Sequence, residues 1–202
     1  TPLYSSAASD VYKRQAQYVA EIAGYMPTHP LDRAKVVMIC DHIYEDILIN
    51  VVYAIWGFRV WERDVVGGFA GPISGFPLKF ANLEDILVGS SSGFAVGSEV
   101  SMADFAIFYI VDILTQRMLK VESGPAAVKL LFGDKPAIAK HQEMMAARPN
   151  TSKFKKSAQW DLYGHYLSGK GVMVDRTHEL GHGETELEGF EILASTLVTC
   201  LS

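Results

Sequence analysis

Apolar residues recur at helical spacing from Leu31 to about Trp56, at Val36, Cys40, Ile43, Ile47, Val51 and Ile55. This rhythm predicts one helix of about 25 residues, near 38 Å at roughly 1.5 Å per residue. Its opposing surface carries Asp41, His42, Glu45, Asp46 and Asn50. Asp41 and Glu45, four apart, repel slightly; His42 and Asp46, also four apart, can offset this. Pro30 suits the first turn, where its missing N–H is not needed, and Asp32 suits the positive end of the dipole. Upstream, Gln17–Gly24 reads as the end of an amphipathic helix with Gly24 as its stop, and residues 26–30 as a linker.

The segment Gly67–Pro77 holds too many helix breakers to be regular and is predicted as a loop. A shorter helix is expected from about Lys79 to Leu87, ended by Gly89–Gly93. Ser101 and Asp104 form a capping box. The Ser hydroxyl is expected to accept the third helical N–H, while the Asp carboxylate reaches back to the N–H of Ser101. Val100 and Phe105 occupy the places of a hydrophobic staple. The run Phe105–Leu114 is apolar nearly all round, as in a central, fully packed helix. Further helices are predicted over about Lys135–Ala147, closed by Arg148 and Pro149, and over about Thr151–Ser157. No internal repeat is apparent, and the fold class that follows is all-α.

Hydrophobic content of 49% against 20% charged residues places the chain with ordinary globular proteins rather than disordered ones. A formal charge of −5 without a basic stripe argues against nucleic acid as a partner. The short cluster Lys153, Lys155 and Lys156 reads as a solvated helix face. No apolar run reaches the roughly 18–20 residues that span a bilayer, so no membrane partner is expected. The best candidates, Ile47–Trp56 and Phe105–Leu114, carry Asn50 and Asp112 and read as buried helices. Two cysteines, Cys40 and Cys200, imply no disulfide framework and suggest a reducing cytoplasm. Cys40 faces the apolar stripe and reads as a small core residue. His178 and His182 lie four apart, but zinc would need at least one further ligand, and Gly181 and Gly183 disfavour a helix there. No metal is expected.

Residues 5–15 back-translate, base for base, into a transposase adaptor used in sequencing-library preparation, and Thr1–Tyr4 fits what precedes it. Residues 1–15 are therefore expected to be translated adaptor rather than native sequence. Tyr4, Ser5, Ser6 and Tyr12 are then expected to carry no chemistry. Removing Asp10, Lys13 and Arg14, one acid and two bases, takes the formal charge from −5 to −6.

Three stretches resemble the C-terminal domain of the cytosolic glutathione transferases, nearest in pattern to the pi, mu and sigma classes. Leu31–Ile47 looks like the first long helix of that domain. Phe94–Phe105 resembles its capped core helix, with the pattern Gly-x-x-apolar-Ser-x-Ala-Asp complete. Pro136–Pro149 resembles the helix that ends in Ala-Arg-Pro. The resemblance spans about residues 17–157, in the family's order. It implies four segments: adaptor at 1–15, the last helix of a thioredoxin-like domain at 16–26, the helical domain at 27–157, and an additional tail at 158–202. That tail reads either as an added amphipathic helix over the pocket, from Glu184 to Leu201, or as translated non-coding sequence.

What the resemblance implies for function is equally specific. The thioredoxin-like half of the family holds glutathione and supplies a Tyr, Ser or Cys that stabilises the thiolate. That half would lie where the adaptor sits, so no catalytic residue is named, and the chain by itself is expected to be inactive. Asp46 aligns with the aspartate that reaches across a homodimer to the γ-glutamyl ammonium of the partner's glutathione; the alternative is an ordinary residue of the polar helix face. Tyr53 and Trp56 lie where the family lines its pocket for small apolar electrophiles; the alternative for both is plain core packing. Ser101 and Asp104 are structural. The implied activity is attack of the glutathione thiolate on an apolar electrophile in the cytoplasm, or a glutathione-dependent isomerisation or peroxide reduction, with glutathione as co-substrate and no other cofactor. The alternative is a non-catalytic relative that uses the same domain for protein association or for carrying apolar ligands. The Gly67–Pro77 loop departs from the usual helical region and should alter the pocket rim.

Overall fold

The computed structural model describes residues 13–48, 75–118 and 124–156. They are helical or irregular, with no strand among the described residues. Two compact units divide the chain: Pro27–Ala146, and Thr1–Met26 with Ala147–Ser202.

In the second of these, helix α1 runs over residues 13–22, so Lys13, Arg14 and Gln15 continue the helix upstream of Ala16. Arg14 donates to the Gln17 side chain at 3.1 Å. The expected stop holds. Gly24 takes the left-handed conformation at φ +79°, the Tyr25 N–H reaches the Ala20 carbonyl at 2.7 Å, and the Gly24 N–H reaches Glu21 at 3.2 Å. This is the pairing of a Schellman terminus, open to glycine because it lacks a Cβ. The buried face is Ala16 and Ala20, whereas the bulkier Tyr18 and Ile22 are exposed.

In the unit Pro27–Ala146, helix α2 covers Pro30–Asp41, with Pro30 in its first turn and Asp32 near its N-terminus as expected. The expected single helix does not continue as such: from His42 to Leu48 the chain is a π-helix. Ile43, Tyr44, Ile47 and Leu48 are its buried residues. Val36, Cys40, Ile43 and Ile47 are buried as the periodicity requires, while Asn50, Val51, Ile55 and Trp56 lie outside the described residues.

Helix α3, Phe76–Val88, starts three residues before the Lys79 expected from the breakers. Pro77 sits in its first turn, where proline is tolerated, and Gly75 enters it at φ +60°, a left-handed backbone that favours glycine. The rest of the Gly67–Pro77 loop lies outside the described residues. Phe76, Phe80, Leu83 and Leu87 are buried, and Gly89 closes the helix with its N–H 2.9 Å from the Asp85 carbonyl. Helix α4, Met102–Met118, is the central element. It packs on α2, on the π-helical segment, and on two helices that follow: α5, Gly124–Phe132, and α6, Pro136–Ala146. Helix α3 in turn packs on α5, α6 and the π-helical segment.

Helix α5 is not among the helices expected from the sequence. Its signals are weak: Pro125 beside its start, and Ala127 and Leu131 buried one turn apart. Phe132 at its end meets Phe80 edge to face, with ring centroids 4.9 Å apart. Helix α6 lies within a residue of expectation at each end. Helix α7, Pro149–Lys155, begins at Pro149 instead of Thr151 because proline starts the helix here rather than ending the one before. No helix among the described residues is long and apolar enough to cross a membrane.

Candidate functional site

Asp104 stands three residues into the turn that opens α4, and it is completely buried. One carboxylate oxygen accepts the Ala95 N–H at 2.7 Å and His141 Nε2–H at 3.0 Å. The other accepts the Ser101 N–H at 2.8 Å and the Ser101 hydroxyl at 2.9 Å. The expected box is thus half right. The carboxylate does return to the Ser101 N–H, but the Ser101 hydroxyl donates to that carboxylate instead of accepting the Asp104 N–H. That N–H goes to the Ser101 carbonyl at 3.1 Å. The reason is satisfaction of charge: a buried carboxylate offers about four acceptor sites and needs donors at each. Of the staple residues, Phe105 is buried and Val100 half-buried.

His141 was not singled out from the sequence, although a signal existed. It lies on the stripe Ile138, His141, Met145, all buried, so it is a polar residue on the apolar face of α6. Because a carboxylate only accepts, His141 must donate through Nε2, and its Nδ1 has no partner among the described residues. Cys40 is buried in the core as expected. Burial, followed by the negative fields of Asp41 and Asp104, pushes its thiol far above the usual range, so it is not a ready nucleophile.

Tyr44, on the π-helical segment, is buried with no hydrogen-bond partner for its hydroxyl among the described residues. Burial first, then Cys40 and Tyr109, raise its phenol well above the usual value. An unpaired buried hydroxyl opposes folding, so Tyr44→Phe should leave the fold intact and raise stability by about 1 kcal/mol. Urea unfolding followed by circular dichroism would measure this; a loss of stability would show that the hydroxyl is bonded.

Asp46 lies on the same π-helical segment, with its side chain 57% exposed. His42 Nδ1 is 2.8 Å from Asp46 Oδ2, the offsetting pair expected from their spacing. The other ring nitrogen, Nε2, faces the Lys79 carbonyl of α3 at 3.5 Å, and the Lys79 ammonium donates back to the Asp46 carbonyl. Side chain and backbone of Asp46 are thereby each tied to a neighbour. Tyr53 and Trp56, the expected pocket walls, lie outside the described residues. On α2, a shallow open depression is lined by Pro30, Arg33, Ala34, Val37, Met38 and Asp41. No group of His, Cys, Asp and Glu able to hold a metal occurs among the described residues.

Residues 75–158 match the family model described as the Glutathione S-transferase, C-terminal domain. The match takes in the capped segment Phe94–Phe105 and the segment Pro136–Pro149; Leu31–Ile47 precedes it. The all-helical architecture of the described residues agrees with such a domain. No curated protein matches the chain.

Proposed function

We propose that the chain carries the helical half of a cytoplasmic, homodimeric glutathione transferase. The observation that carries the reading is the family match over residues 75–158, which includes the buried cap that Ser101 and Asp104 form. In the reaction, the glutathione thiolate attacks an electrophilic carbon of an apolar substrate. The new C–S bond forms as the leaving group departs with the bonding electron pair. The helical half contributes binding. Asp46 receives the γ-glutamyl ammonium of the glutathione held by the partner subunit, and Tyr53 and Trp56 wall the electrophile pocket. The thiolate-stabilising group is not assigned among these residues, and the 202-residue chain alone is expected not to conjugate an aryl halide.

Asp46 supplies the test. A charge-assisted contact to an ammonium contributes about 1.5–3 kcal/mol. In the complete transferase, Asp46→Asn should therefore raise KM for glutathione about ten-fold or more and leave kcat nearly unchanged. An unchanged KM would remove Asp46 from the glutathione site. A second reading, protein association without catalysis, is favoured by the exposed Leu31 and Met38 on α2. A complete protein that binds no glutathione would select it.

A further inference from the structure

We draw no further inference here: the strongest candidate, the shallow depression along α2 lined by Arg33, Val37, the exposed Met38 and Asp41, carries nothing because nothing in the structure shows what covers it.

Discussion

Asp104→Asn should destabilise the unit Pro27–Ala146 by on the order of 3 kcal/mol or more, despite nearly identical size. Four donors converge on this carboxylate: the Ala95 N–H, the Ser101 N–H, the Ser101 hydroxyl and His141 Nε2–H. The substitution replaces one accepting oxygen with an NH2 group. Whichever way the amide turns, its nitrogen faces at least one buried backbone donor, the Ala95 N–H or the Ser101 N–H. Each unsatisfied buried group costs about 1–3 kcal/mol, and the charge assistance of the remaining bonds is lost as well. Domains are typically stable by only about 5–15 kcal/mol, so a large fraction of the molecules should unfold at moderate urea. The hydroxyl of Ser101 can turn and recover part of the loss, which sets the lower bound. Urea unfolding monitored by circular dichroism reads the effect directly. A loss below about 1 kcal/mol would mean that the carboxylate is not the hub these distances describe.

Glu84→Ala should cost about 2 kcal/mol, the second-largest effect expected. The first N–H groups of a helix have no partner inside it. In α6 two of them are satisfied from another helix: the Ala137 N–H meets Glu84 Oε1 and the Ile138 N–H meets Oε2, both at 2.8 Å. A carboxylate at this end also faces the positive end of the helix dipole. Since Glu84 belongs to α3, its loss should loosen the packing of α3 on α6 as well as fray α6. Glu84→Gln keeps one accepting oxygen and should lose roughly half as much. Hydrogen exchange at the Ala137 and Ile138 amides would show where the change falls. Exchange that accelerates only elsewhere would contradict the cap.

The residues that were legible in the sequence are those whose role is local. The spacing of Val36, Cys40, Ile43 and Ile47 fixes a buried face whether the helix is α or π. The Ser101–Asp104 pair is readable because a capping box spans four consecutive residues, and Gly24 because only its own φ matters. What was missed depends on distant partners. His141 reaches Asp104 across 37 positions, and Glu84 reaches α6 across 53 and 54. No short window contains both ends. The π-helical segment is illegible for a different reason: over a few turns one periodic stripe suits both helix types. Helices α3 and α7 start earlier than their sequences suggest because Pro77 and Pro149, breakers inside a helix, stand in its first turn here. Of the candidate ligand contacts, Asp46 was legible with its His42 partner, but its tie to Lys79 was not.

Whether the helical half works with a glutathione-holding half is decided by reading the source transcript across and upstream of Thr1–Gln15. A thioredoxin-like coding segment with a Tyr, Ser or Cys near its start is expected. A Gln-Ser or Glu-Ser pair should lie shortly before the helix that contains Gln17–Gly24. A transcript whose reading frame runs unbroken through Thr1–Gln15, with no such segment before it, would rule out that partnership.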